Sequence, residues 1–249
     1  MAVRLVRVTG RHRAPPTPAR RALAELTHLL LPADCGGCGE PDVRLCGRCR
    51  WALAGPAGPV RDVAGIAVVA VVPYAGAAQR ILLGWKDDGR HDLGPLVRAA
   101  VARSVRAALL EAGHPAGHPV LVVPVPSSAA ASRRRGGDVL AQATRDAVRT
   151  LSRTGPSIGY APVLRQRVTV VDQAGLGADA RRANLDGALE VLDARQARQV
   201  RGRDVVLVDD VVTTGATLNE AYRAMRAAGA RVRAGAVVAA TPLRRQPRT

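Results

Sequence analysis

The chain carries four short runs dominated by valine, alanine and leucine: "GIAVVAVVPY" (65–74), "PVLVVPVPSS" (119–128), "RDVVLV" (203–208) and "RVRAGAVVAAT" (231–241). Each is too short to cross a membrane and too continuously apolar for a strand with one wet face. Between them lie segments with helical periodicity. Residues 75–90, "AGAAQRILLGWKDDGR", read as a short helix running into a polar turn. Residues 92–112 place Leu93, Leu96, Val97, Ala100, Val101, Ala108 and Leu109 on one stripe, and 138–152 do the same with Leu140, Ala143, Ala147, Val148 and Leu151. A fourth helix is expected over 217–228, ending at Gly229. Buried strands alternating with amphipathic helices predict an α/β fold with a mainly parallel sheet.

Composition sets how the core is built. Apolar residues make up 47% of 249 positions, aromatics 2%, and there is no phenylalanine, so Val, Leu and Ala must fill the interior. Net charge is +17, and Lys86 is the only lysine among 37 basic residues. So basic a chain attracts polyanions such as nucleic acid, phosphorylated metabolites or an acidic lipid surface. A solvated arginine surface accounts for much of the charge equally well. Residues 1–18 are rich in Arg and Pro without periodicity and read as a basic tail, without the apolar core of a secretory leader. The expected location is cytoplasmic. Residues 19–55 read as a helix (19–31) plus a cysteine module, closed by the Gly/Pro linker "AGPAGPVRD". A main domain follows over 60–242, and 243–249 form a second basic tail.

The cysteines stand as Cys35-x2-Cys38-x7-Cys46-x2-Cys49. Two CxxC knuckles can present four thiolates to one Zn²⁺ in a closed structural site. Glycines 36, 37, 39 and 47 are expected to let the backbone turn tightly around the metal. Two disulfides suit a cytosolic chain poorly, and a redox site needs only one pair.

"VVLVDDVVTTGATL" (205–218) raises the functional question. Ligands of open α/β sheets bind beyond the carboxyl ends of the strands. There the chain places Asp209 and Asp210, then Thr213, Thr214, Gly215, Ala216 and Thr217 at a helix mouth. Free backbone N–H groups and threonine hydroxyls at such a mouth cradle a phosphate. Neighbouring carboxylates accept hydrogen bonds from vicinal sugar hydroxyls or hold a hydrated Mg²⁺. A solvated Asp-Asp before an ordinary helix cap is the plainer alternative. The chain contains neither GxGxxG after a strand nor GxxxxGK[ST].

Residues 205–218 closely resemble the signature of type I phosphoribosyltransferases, which bind 5-phosphoribosyl-1-pyrophosphate (PRPP). Taken with the Cys₄ knuckles, "VVPYAGAAQRILLGWKDDGR", "VVPVPSS…RRRGGDVLAQA" and "DQAGLGADARRANLDGAL", the chain resembles the ComF family over roughly residues 33–241. These are competence-associated proteins with an N-terminal zinc ribbon and a phosphoribosyltransferase domain. The resemblance implies a type I phosphoribosyltransferase core with a small Cys₄ zinc-knuckle module. It implies PRPP binding by Asp209, Asp210, Val211 and Thr213–Thr217, and a pyrophosphate loop at Val125, Pro126 and Ser127, joined by Arg133, Arg134 and Arg135. Lys86 and Arg181 become the catalytic candidates, and Gln173, Arg181 and Asn184 a flexible loop closing over the site. Mg²⁺ would accompany PRPP. Single-stranded DNA and competence helicase or membrane-channel proteins are the macromolecular partners it points to. The chain departs from the family where Arg135-Gly136 is followed by Gly137 and Asp138 instead of Phe-Asn, which bears on the acceptor.

Overall fold

The computed structural model describes residues 34–55, 60–153, 157–167 and 187–242. Its centre is a six-stranded sheet built from β1 (Val60–Val63), β2 (Ile66–Pro73), β3 (Val120–Pro124), β4 (Ile158–Tyr160), β7 (Asp204–Val212) and β8 (Arg231–Ala240). The strand order is β1-β2-β8-β7-β3-β4, with β1 antiparallel and every other pairing parallel. All five residues of β3 are buried, as a strand covered on both faces requires. A separate hairpin pairs β5 (Leu164–Gln166) with β6 (Leu189–Val191).

Helices cover both faces. On one lie α2 (Gly76–Lys86), α3 (Gly94–Glu111) and α5 (Val139–Leu151). Their stripes, including Ile81, Trp85, Val97, Val101, Leu140 and Val148, share a core with Val69, Val122, Val206 and Val208. On the other lie α6 (Ala194–Val200) and α7 (Ala216–Ala227), where Leu218, Ala221 and Met225 pack on Val205 and Leu207. Over 205–208 the two clusters divide β7 by parity, Val206 and Val208 to the α3 side and Val205 and Leu207 to the α7 side, as the pleat dictates; beyond the two aspartates the parity reverses, with Val211 against the first cluster and Val212 in the second. The cysteine module, with α1 (Gly47–Ala52), packs on the α2–α3 face, because Cys35, Cys49 and Leu53 are buried within that same core.

The four helices expected after residue 65 and the four apolar strands form within four residues of their anticipated limits, while the helix expected over 19–31 lies outside the described residues. Three differences follow from tertiary context. Residues 60–63, expected within a linker, form the edge strand β1, fixed by its ladder to Ile66–Val69. The strand at 203–208 continues through Asp209 and Asp210 to Val212, because β8 pairs with it as far as Ala240. Among the four glycines of the cysteine module only Gly39 has positive φ. Gly36 and Gly37 are instead needed for clearance. A Cβ at Gly36 would lie 2.9 Å from Leu93 Cδ1, and one at Gly37 would lie 2.6 Å from Cys49 Sγ. The short helices α1, α4 (Ala129–Arg134) and α6, and strands β4 and β5, have no counterpart in the sequence reading.

Candidate functional site

Strand β3 stops pairing with β7 at Pro124–Val208, where Val125 N–H donates to the Val208 carbonyl at 2.8 Å. Strand β7 runs four residues further, paired only with β8. Asp209 and Asp210 therefore stand on an overhang at the carboxyl rim, beside the point where the chain leaves β3. From here one branch of the sheet runs to β4 and the other to β8, so the crevice is a topological switch point. A cleft of about 450 Å³ opens there, bounded by Tyr74, Lys86, Ser127, Arg135, Asp210 and Thr213 among others.

The phosphate-loop candidates lie together. Gly215 caps α7 with φ +84° and has no side chain to give the helix. Thr214 Oγ1 accepts from Ala216 N–H at 3.4 Å, which leaves the Thr217 and Leu218 N–H groups for a ligand, under the positive end of the helix dipole. A small recess bounded by Asp209, Val211 and Thr213–Leu218 sits at this mouth. The loop is buttressed from the edge strand, where Arg61 Nη1 donates to the Thr213 carbonyl. Val63 lies where a Gly215 Cβ would stand, 3.0 Å away. Position 215 is therefore restricted to glycine twice over, by dihedral and by space.

The acids face unlike surroundings. Asp210 is 6% exposed and forms an ion pair with the Lys86 ammonium across the cleft. Burial works against the Lys86 charge, but Asp210 and then Asp209 outweigh it and raise the lysine pKa. Asp209 is half-buried and borders both the cleft and the recess. Burial first and the Asp210 charge second hold its pKa well above the usual 3.8. Lys86 counters this only in part.

On the facing wall, Val125, Pro126, Ser127 and Ser128 line the cleft. Ser128 caps α4, accepting from Ala131 N–H at 3.2 Å. Of the three successive arginines only Arg135 reaches the cleft. Arg133 and Arg134 are exposed on α4. Arg135 is 11% exposed, donates to Asp87 at 2.7 Å, and has its Nη1 buried without a protein partner. Gln173, Arg181 and Asn184 lie outside the described residues.

Three contributors escaped sequence reading, and a fourth, Asp138, was read there only as a departure from the family pattern. Tyr74 lines the cleft and Asp87 steers Arg135. Arg61 holds the phosphate loop. Asp138 caps α5 through Leu140 and Ala141 N–H, both at 3.1 Å, and also accepts from Ser127 N–H at 2.9 Å. An Asp immediately before a helical stripe is an N-cap signal that would have marked it. The residue that departs from the family pattern is therefore the clamp that fixes the 125–128 loop.

The cysteine cluster suits a tetrahedral metal. All four sulfurs are free and lie within 4.8 Å of one another. Cys38 and Cys46 Sγ are 3.8 Å apart. That matches the about 3.8 Å edge of a tetrahedron with Zn–S bonds of about 2.3 Å. Burial opposes ionisation of Cys35, but the backbone N–H groups of Cys46, Cys38 and Gly37 outweigh it and bring its pKa down to about 6. Burial and the facing sulfurs push Cys49 up. Four crowded thiols ionise together only around a cation, so the donor set fits a closed metal site such as that of zinc. Among the described residues no helix is long and apolar enough to cross a membrane.

Comparison with known proteins agrees with the architecture. No curated protein matches the chain. Among solved structures, the allosteric regulatory enzyme of purine biosynthesis aligns over 57% of this chain at 20% identity and a TM-score of 0.33, and this chain spans 25% of its length. A hypoxanthine phosphoribosyltransferase from Staphylococcus aureus aligns over 61% at 12% identity and a TM-score of 0.32, covering 69% of that protein. The Trypanosoma cruzi enzyme of the same name aligns over 61% at 18% identity and a TM-score of 0.32, covering 72%. The phosphoribosyl transferase domain model matches residues 115–248, more than half of the sequence. That stretch carries β3, the overhanging acids and the uncapped helix mouth, and it places this chain in the phosphoribosyl transferase domain family.

Proposed function

We propose that the chain binds PRPP as its Mg²⁺ complex in the β3–β7 crevice and transfers the phosphoribosyl group to a nitrogen nucleophile. One observation carries this reading: twin carboxylates and an uncapped helix mouth share one rim, with Lys86 and Arg135 on the wall opposite. The N–H groups and hydroxyls of Thr213–Thr217 take the 5′-phosphate. Asp209 and Asp210 accept from the ribose 2′- and 3′-hydroxyls. Val125–Ser127, Arg135 and Lys86 face the pyrophosphate. Mg²⁺ would offset part of the pyrophosphate charge. The C1′–O bond breaks with its electron pair going to pyrophosphate, a nitrogen lone pair closes on C1′, and that nitrogen then loses its proton. The protein's work is to orient the sugar and stabilise the departing charge, and no covalent nucleophile is needed. Lys86, paired with Asp210 in the free chain, exchanges that partner for a phosphate oxygen. Arg181, with Gln173 and Asn184, keeps the lid role that the ComF resemblance gives it.

Isothermal titration of Mg²⁺-PRPP into the full chain tests the reading. Saturable binding that ribose 5-phosphate weakens and Asp209→Ala/Asp210→Ala removes is expected. Absence of binding by the unaltered protein refutes it.

A second reading is a PRPP sensor that grips single-stranded DNA without catalysis. It is favoured by Trp51, 75% exposed on α1, the helix that also carries the exposed Arg48 and Arg50. An aromatic face amid arginines suits base stacking beside phosphates. Steep salt dependence of single-strand binding, lost in Trp51→Ala, separates it from scattered surface charge. The competence role and its helicase or channel partners rest on the resemblance alone.

A further inference from the structure

We propose that the Cys₄ module sets the position of Lys86 in the cleft, with Arg80 and Arg90 as the positioning residues. The two arginines bracket the segment that carries Lys86 and Asp87, and both donate guanidinium hydrogen bonds to backbone of the cysteine module. Arg80 Nε donates to the Gly37 carbonyl, between Cys35 and Cys38. Arg90 donates from Nη1 to the Asp34 carbonyl and from Nη2 to the Arg44 carbonyl, each at 3.0 Å. It thereby ties together the two stretches that lead into the paired knuckles. Asp92 fixes the Arg90 fork with two bonds of 2.9 Å, and Arg90 N–H returns to the Gly84 carbonyl at 3.0 Å.

The packing repeats the pattern. Leu93 fills the space over Gly36, and Ala77 abuts Gly37. Between these anchor points, Lys86 reaches Asp210 and Asp87 reaches Arg135. A metal that fixes the knuckle backbone therefore fixes the carbonyls that hold the corner carrying both charges. Positioning of this kind acts at the site without touching a ligand. The rival account is that Ile81, Leu82 and Trp85, all buried, hold α2 unaided.

The sole lysine makes the distinction measurable. In full-length protein carrying ¹³C,¹⁵N-lysine, the side-chain Cε–Nζ signal reports Lys86 alone. With zinc bound, the signal is expected well displaced from free lysine. Chelating the zinc, or Arg90→Gln with zinc retained, should return it more than halfway to the free-lysine position. Where far-UV circular dichroism shows that Arg90→Gln has lost its fold, Asp92→Asn replaces it, with a smaller shift in the same direction. An unmoved lysine signal in folded Arg90→Gln or Asp92→Asn protein, or after zinc removal, overturns the proposal.

The consequence for ligand binding rests on the PRPP reading: the Mg²⁺-PRPP dissociation constant should rise about tenfold in the same variants. The two readings fail separately. A lysine signal that moves in a chain that never binds PRPP leaves the positioning intact and removes the ligand. PRPP binding that persists unchanged with an unmoved lysine does the reverse.

Discussion

Strand β7 carries a buried carboxylate cluster at each end, and the two are built on opposite terms. At the amino end, Asp204 is 8% exposed and is met by Arg231 at 2.7 Å, Arg233 at 3.1 Å and the His114 ring at 3.7 Å. Burial opposes its charge, but Arg231 and Arg233 outweigh burial and hold its pKa below the usual 3.8. At the carboxyl end, Asp209 and Asp210 share one lysine, and the pKa of Asp209 goes up. One residue type on one strand is thus oversupplied with cations at one end and undersupplied at the other. A satisfied buried charge ties elements together. An undersupplied one keeps capacity for a ligand, which is why perturbed groups concentrate at sites of function.

The largest effect expected from this contrast is on binding. Asp209→Asn/Asp210→Asn should weaken Mg²⁺-PRPP binding by at least about a hundredfold, roughly 2.7 kcal/mol. Asp209→Asn alone should hold or raise the melting temperature, because it relieves a crowded like-charge pair while leaving Lys86 its Asp210 partner. Asp204→Asn should do the converse, leaving binding intact while lowering stability by about 1–2 kcal/mol in urea. That is less than a fully buried pair would lose, since Arg231 and Arg233 are about half exposed and keep their hydration. Equal losses of stability at the two ends would dissolve the distinction.

The pH dependences should be opposite in sign. The folded pKa of Asp204 is lowered, so its contribution is present above 3.8 and fades as pH falls through the folded value. Asp204→Asn should therefore flatten the acid limb of the stability curve. The folded pKa of Asp209 is raised, so its preference for the proton is complete below 3.8 and is lost as pH climbs through the folded value. Calorimetry of Asp209→Asn should show a stability gain over the unaltered chain that grows as pH rises from 3.8 to that value, is constant above it, and vanishes in acid. A gain in acid instead would reverse the assignment.

The smallest effect concerns the arginine run. Arg133→Ser/Arg134→Ser should change stability by less than about 0.5 kcal/mol and leave PRPP affinity within about twofold, as exposed charges usually do. A tenfold loss would bring those side chains into the cleft.

The alternation of apolar runs with helical stripes made the sheet and its three main helices legible from sequence, and the Asp-Asp-to-Thr-Gly stretch made one wall of the cleft legible. Partners distant in the chain were not. Lys86 stood out by its rarity, but nothing local says that it meets Asp210. Three consecutive arginines look alike in sequence, and only the turn at Arg135 sends one of them inward. Strand β1 was concealed because four residues beside a Gly/Pro stretch carry no periodicity, and their pairing comes from β2. Asp204 was read only as part of a strand, since its cations arrive from β8 and from the turn after α3.

The cleft also draws heavily on chain that precedes the family-matched stretch at 115–248. Tyr74, Leu82, Leu83, Lys86 and Asp87 line it from upstream, and Arg61 and Val63 shore up the phosphate loop from farther still. Excising residues 115–248 as a transplantable cassette would carry away the acids and the helix mouth yet leave their counter-charge and buttress behind. Such a graft would inherit a floor without its opposite wall.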